Sequence, residues 1–99
     1  MDGPPTPSLV GTWTKTAAAE CAERYPQTIE FGDVRYLGRK GLDQGFIVWD
    51  AGVYSVLGPD RVRISTAWDE QVVYEFRLEG DDLTFRDEAG CEVTYRLAR

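Results

Sequence analysis

The chain contains no histidine, which removes the commonest general base and the commonest metal ligand of proteins. Its two cysteines are too far apart for a zinc-binding motif, and no glycine-rich phosphate loop or nucleophile elbow is present. No apolar run approaches the roughly 20 residues that a membrane-spanning helix needs. The sequence therefore predicts no metal site, no cofactor and no recognisable catalytic group.

Basic residues are also scarce, because 11 Lys and Arg face 17 Asp and Glu and leave a formal net charge of −6. Nucleic acids and anionic membranes are bound through basic surfaces, so neither is expected as a partner of this acidic chain. The N-terminus has no basic start followed by an apolar stretch, which predicts a cytoplasmic protein. Cytosolic thiols stay reduced and Cys91 lies in an apolar alternation, so a buried thiol there is favoured over a Cys21–Cys91 disulfide.

Length and composition are those of one globular domain of 99 residues with 42% hydrophobic content. Residues 1–8 are rich in proline, which joins a sheet ladder poorly, and this predicts a flexible tail before a domain at 9–99. Residues 16–25 are mostly helix formers, and Pro26 stops them, so one short helical turn is expected there.

From Gln27 onward apolar and polar residues alternate, with turn residues roughly every ten positions. This pattern predicts an all-β fold, an antiparallel meander of about eight strands. Closure into a small barrel would cover the apolar faces and remove the sheet edges, while a two-sheet sandwich is the alternative. The predicted strands are 9–15, 28–31, 34–37, 46–49 bending at Gly52 into 53–56, 62–66, 72–78, 83–86 and 91–97.

The segment Leu9-Val10-Gly11-Thr12-Trp13, at the head of this meander, resembles the Gly-x-Trp first strand of lipocalins and of short bacterial lipocalin-like domains. The hairpins over 52–85 are similar to those of the short domains, so the resemblance runs from Leu9 to Leu97. In that family the tryptophan of the first strand lies at the closed end of the barrel, against a basic residue of the last strand. The resemblance therefore implies a cation–π contact between Trp13 and Arg96.

A ligand site is expected among the aromatic residues of the barrel interior, whose hydroxyls would orient a bound molecule. An eight-stranded barrel is either filled by its own side chains or holds one small ligand, and both possibilities stay open here. Asp50, between Trp49 and Gly52, is either a polar anchor for that ligand or a turn residue. The predicted ligand-binding residues are Tyr36, Trp49, Asp50, Tyr54, Tyr74, Phe76 and Tyr95.

Three functions fit these observations. The resemblance implies a non-catalytic barrel that binds a small apolar or aromatic ligand. A protein-interaction module, such as an inhibitor or accessory subunit, is the first alternative. A cavity enzyme, an isomerase or cyclase that acts by confining its substrate, is the second. The sequence leaves a monomer and a homodimer equally open.

Overall fold

A computed structural model describes residues 8–18, 20–42 and 44–98, so of the predicted tail only Ser8 is included. Within these residues the chain forms eight β-strands and one 3₁₀ turn, Glu20–Arg24, which follows the first strand. The strands are β1 (Gly11–Ala18), β2 (Thr28–Phe31), β3 (Arg35–Arg39), β4 (Ala51–Val56), β5 (Arg61–Ser65), β6 (Gln71–Glu79), β7 (Asp82–Arg86) and β8 (Glu92–Leu97).

The strands form one closed barrel in which each strand pairs antiparallel with the next and β8 pairs with β1. Trp13 shows the closure directly, because it lies opposite Ile29 of β2 on one side and Leu97 of β8 on the other. Closure satisfies the ladder hydrogen bonds that an open sheet would leave at its edges. The prediction of an all-β meander closed into a small barrel is confirmed.

The period-two pattern sorts side chains between the interior and the solvent. In β6, Tyr74 and Phe76 are buried while Glu75 and Arg77 are exposed. The buried residues come together in one core that runs through the barrel. Burial of apolar area, at about 25 cal/mol per Å², is the main force that fixes this register, since a shift by one residue would invert every side chain.

The two ends of the barrel differ in the length of their connections. At one end the turns 32–34, 57–60 and 80–81 are short, and we call this the short-turn end. The other end carries the 3₁₀ turn and the connections between β3 and β4, β5 and β6, and β7 and β8, and we call it the plugged end.

The expected strand at 46–49 is wrong, since β4 begins only at Ala51. Ile47, Val48 and Trp49 are all buried in succession, which the alternation of a half-exposed strand does not allow. The backbone of Val48 pairs instead with Arg24 and Ala67, with N···O distances of 2.8 Å each. This segment therefore folds across the plugged end and contributes to the core.

The helical turn is shorter than the stretch 16–25 from which it was predicted. Thr16 lies within β1, where the pairing register with β8 shifts between Lys15 and Ala17. Such a bulge inserts one residue and bends the strand, so β1 continues past the point where its alternation breaks. Among the described residues no helix is long and apolar enough to cross a membrane.

The two cysteines form a disulfide, with Cα atoms 6.1 Å apart, so the favoured free thiol at Cys91 is wrong. Cys91 is buried, as the alternation indicated, but its sulfur is bonded to Cys21 in the 3₁₀ turn. Sequence alone could not place these residues together, because 70 positions separate them. The bond joins the 3₁₀ turn to the start of the last strand.

Candidate binding site

The barrel places six of the seven predicted ligand-binding residues in its interior. All six are aromatic and buried, and all belong to the core cluster. The seventh, Asp50, is exposed just before β4, where its Oδ1 accepts a hydrogen bond from the backbone N–H of Ala51 at 2.7 Å. Asp50 therefore takes the turn role rather than that of a polar anchor inside the barrel. The six interior residues are Tyr36, Trp49, Tyr54, Tyr74, Phe76 and Tyr95.

These aromatic rings pack against one another and occupy the barrel interior. Trp49 has its ring centroid 5.0 Å from those of Tyr74 and Phe85 and 4.5 Å from that of Tyr25. Edge-to-face pairs at such distances add about 0.5–1.5 kcal/mol each to the energy of burial. The side chains of the chain itself thus fill the centre, and a bound molecule would have to lie toward one end or on the outside.

Most of the tyrosine hydroxyls are committed to acceptors of this chain. Tyr36 donates to the carbonyl of Ser65 at 2.5 Å, and Tyr95 donates to that of Pro26 at the same distance. Tyr54 donates to the carbonyl of Gly32. Burial raises the pKa of each of these three groups, which keeps the hydroxyls neutral and donating. They lock the barrel rather than offer free donors to a ligand.

Tyr74 differs from the other four tyrosines, because the described residues provide its hydroxyl with no aligned acceptor. Trp49 beside it is 1% exposed, and its indole N–H has no hydrogen-bond partner among the described residues. Burial raises the pKa of Tyr74. The indole N–H of Trp49 is close enough to offset part of that rise, although it is not aligned for a hydrogen bond. The indole N–H of Trp49 is thus a buried donor without a partner among the described residues, which is uncommon in folded proteins.

The plugged end is organised around the carboxylate of Asp87, whose side chain is only 6% exposed. One oxygen accepts from Tyr25 at 2.7 Å and from Arg24 at 3.0 Å, and the other accepts from the backbone N–H groups of Ala89 and Cys91, both at 2.9 Å. Burial alone would raise the pKa of Asp87, but these hydrogen bonds outweigh it and lower the pKa below its usual value.

The 3₁₀ turn is fixed to the barrel by further contacts. Lys15 Nζ donates to the carbonyls of Ala22 and Tyr25, at 3.3 and 3.0 Å, and so satisfies acceptors that a helix end leaves open. Gln44 Nε2 donates to the same Tyr25 carbonyl at 2.6 Å. Together with the disulfide, these bonds hold the 3₁₀ turn over the aromatic core at the plugged end.

A cleft with a volume of about 220 Å³ opens at the plugged end, between the 3₁₀ turn and β6. Its lining combines the apolar side chains of Val72 and Ala89 with two tyrosines, and of these Tyr74 has no aligned hydroxyl acceptor among the described residues. The arrangement provides a donor beside an apolar wall, which is how pockets for small molecules are commonly built. The cleft is lined by Arg24, Tyr25, Val72, Tyr74, Asp87, Glu88 and Ala89.

Sequence reasoning found Tyr74 but missed the rest of this cleft. Arg24 and Tyr25 were assigned only to the helical turn, and Asp87, which stabilises a tight turn through its bonds to Ala89 and Cys91, was not among the predicted ligand-binding residues. Pairing Cys21 with Cys91 is the signal that would have joined these segments.

Two larger concave regions lie on the outside of the barrel. One, of about 510 Å³, crosses β1 to β4, and the other, of about 500 Å³, lies between Lys15 and the residues after β3. All three regions, the cleft at Tyr74 included, are open to solvent. The cleft at Tyr74 is smaller, but it is lined by the one tyrosine whose hydroxyl has no aligned acceptor among the described residues.

The signature residues of the first and last strands do not form the expected contact. Trp13 is buried near the short-turn end, and its indole N–H donates to the carbonyl of Leu9 at 2.9 Å. Arg96 lies outside, where its Nε is 3.0 Å from a carboxylate oxygen of Asp82. Its position opposite Thr14 rather than Trp13 explains why the guanidinium group of Arg96 and the indole ring of Trp13 do not meet. Gly11 has a φ of 143°, and a β-carbon there would press against Leu97.

Within the described ranges no group of three His, Cys, Asp or Glu side chains is arranged to hold a metal ion. No protein-family model, curated protein or solved structure matches the chain.

Proposed function

We propose that this chain is a non-catalytic binding module that takes a small, neutral, largely apolar ligand in the cleft at Tyr74. The observation that carries the proposal is the hydroxyl of Tyr74, which has no aligned acceptor among the described residues, while the other four tyrosines have one. This hydroxyl is available to donate to a ligand oxygen, and one such neutral hydrogen bond contributes about 0.5–1.5 kcal/mol.

The dimensions and walls of the cleft define the ligand class. A cavity of roughly 150 Å³ accommodates benzene, so about 220 Å³ suits one ring with a short polar substituent. Arg24 is already paired with Asp87, and the chain carries a net charge of −6, so the site does not favour an anion. A neutral aromatic amide or ketone fits both constraints, because it combines an apolar ring with a carbonyl acceptor.

Titration with benzamide, followed by two-dimensional NMR, tests this assignment. We expect shifted amide signals to concentrate at Val72, Glu88 and Ala89, which line the cleft. Tyr74→Phe should weaken binding by about 3- to 10-fold, the effect of one neutral hydrogen bond. Tyr36→Phe is the matched control, since it removes a hydroxyl already bonded to Ser65, and it should leave binding unchanged. Equal weakening by both variants, or shifts spread evenly over the barrel, would reject the cleft.

Native mass spectrometry of freshly purified protein gives an independent test of the function. A mass excess that disappears on denaturation, and that is smaller in Tyr74→Phe protein, would support a retained ligand in the cleft. A retained compound that stays equally bound to the variant would place the ligand elsewhere.

The assembly and location follow as further proposals. Closure leaves β1 and β8 paired with each other, so no strand edge is free for pairing with a second copy, and this favours a monomer. The cytoplasmic location stays a prediction from the sequence. The disulfide favours an oxidising compartment instead, where such bonds persist.

A further inference from the structure

A second feature of the plugged end lies outside the cleft, where two aromatic side chains meet in solvent. Phe46 is 55% exposed and Trp68 is 60% exposed, with ring centroids 5.1 Å apart and planes inclined by 42°. Neither residue lines the cleft at Tyr74. Exposed aromatic residues that associate with each other, rather than with the core, are characteristic of interaction surfaces.

The loop that carries Trp68 is held in place by backbone hydrogen bonds. Thr66 accepts from the backbone N–H of Asp69 at 2.9 Å, and its own N–H donates to Glu70 at 2.7 Å. Ala67 donates to Val48 at 2.8 Å, which ties this loop to the segment that carries Phe46. Because the two loops are joined, the rings are already held in position in the free protein. Binding of a partner therefore costs less conformational entropy.

The charges beside the ring pair are negative. Asp69 and Glu70 follow Trp68 directly and are exposed, and neither has an ion-pair partner in the part of the chain that is described. Asp69 also has a φ of 61°, in the left-handed region where Asp is one of the tolerated residues. Two exposed aromatic rings, followed in the sequence by two exposed carboxylates without an ion-pair partner among the described residues, form an environment that favours a cation, since the rings and the carboxylates both attract positive charge.

We propose that Phe46, Trp68, Asp69 and Glu70 bind an arginine side chain of a basic peptide segment in a partner protein. The guanidinium group is planar and weakly hydrated, so it stacks on an aromatic ring while its N–H groups reach carboxylates. The net charge of −6 adds long-range attraction for a basic segment. This surface is independent of the cleft and of the ligand proposed for it.

The test uses a short peptide containing two arginines and two control peptides, one with lysine and one with neutral citrulline in their place. Binding is measured by calorimetry on the full chain, and the indole N–H signal of Trp68 is followed by NMR. We expect the arginine peptide to bind best and to shift that signal, the lysine peptide to bind more weakly, and the citrulline peptide to lose binding. Equal binding of the citrulline peptide would overturn the proposal.

Matched variants distinguish specific binding at this surface from nonspecific association of the peptide. Trp68→Ala should weaken binding of the arginine peptide by about 2- to 5-fold, the range of a cation–π contact at an exposed site. Val34→Ala removes a side chain that is equally exposed at the short-turn end, and it should have no effect. Asp69→Asn with Glu70→Gln should weaken binding and flatten its dependence on salt, and affinity equal to that of the unmodified chain in these variants would reject the role of the carboxylates. Neither change should alter benzamide binding at Tyr74.

Discussion

The two ends of the barrel solve the problem of closure in different ways. At the short-turn end the chain closes over Trp13, whose indole N–H is satisfied by the carbonyl of Leu9. At the plugged end a 3₁₀ turn is tied to a distant loop by a disulfide, and the indole N–H of Trp49 has no hydrogen-bond partner in the part of the chain that the structure describes. One end is therefore locally complete, while the other depends on contacts between segments far apart in the chain.

This difference explains where binding features accumulate. Short turns leave little chain for recognition, whereas longer connections over a rigid sheet can present side chains to a partner. The cleft at Tyr74 and the exposed pair of Phe46 and Trp68 both lie at the plugged end. The stabilising contacts of Asp87 lie there as well, so the same loops combine stability with binding groups.

Removing the disulfide should have the largest effect on the comparison, because it removes the covalent link between the 3₁₀ turn and the residue that precedes β8. The double variant Cys21→Ala, Cys91→Ala should lose roughly 4 kcal/mol of unfolding free energy, the cost of freeing a loop that closes over 70 positions. Urea denaturation measures this loss. Hydrogen exchange should accelerate most at Ala22 and Tyr25 and least around Trp13, and uniform acceleration would contradict the division between the ends.

Asp87 gives the next largest effect and adds a dependence on pH. Asp87→Ala should cost about 2–3 kcal/mol, since a buried carboxylate with four donors is lost. Asp82→Ala at the opposite end is the matched control, because its pair with Arg96 is exposed to solvent and should contribute little to stability.

The sign of the pH effect follows from the lowered pKa of Asp87. The folded state favours the carboxylate, so its contribution is present above the ordinary aspartate pKa of about 3.9 and is lost as the pH falls through the lower folded value. The difference in unfolding free energy between the unmodified chain and Asp87→Asn should therefore shrink in acid. A difference that stays constant from pH 7 to pH 2 would show that the charge of Asp87 does not contribute to the unfolding free energy.

The barrel was predictable from sequence because its determinants are local. Alternation in β6 and turn residues such as Gly80 act over a few positions, and both appear directly in the sequence. The segment 46–49 misled the prediction because its apolar residues are those of a strand, while its backbone partners are Arg24 and Ala67, which only the folded chain brings near.

The candidate site was less predictable because it depends on pairs of distant residues. The aromatic residues of the core were identified correctly as interior, but whether Tyr74 has an acceptor depends on the positions of all the others. The bond between Tyr25 and Asp87 spans 62 positions and has no local signature. Arg96 lies on the outside of the barrel, and the contact with Trp13 that the resemblance implied does not form.

The smallest expected effect compares the two buried tryptophans directly. Trp13→Phe and Trp49→Phe remove similar volume, but only the first removes a hydrogen bond, the one to Leu9. Trp13→Phe should therefore destabilise the protein by about 1 kcal/mol more than Trp49→Phe in urea denaturation, because the Leu9 carbonyl loses its donor. If Trp49→Phe proves equally costly, then its indole N–H has a partner in solution, such as an ordered water or a bound ligand at the plugged end. The same measurement with benzamide present distinguishes an ordered water from a bound ligand. Only a ligand that accepts a hydrogen bond from the indole would increase the difference in unfolding free energy between Trp49→Phe and the unmodified chain.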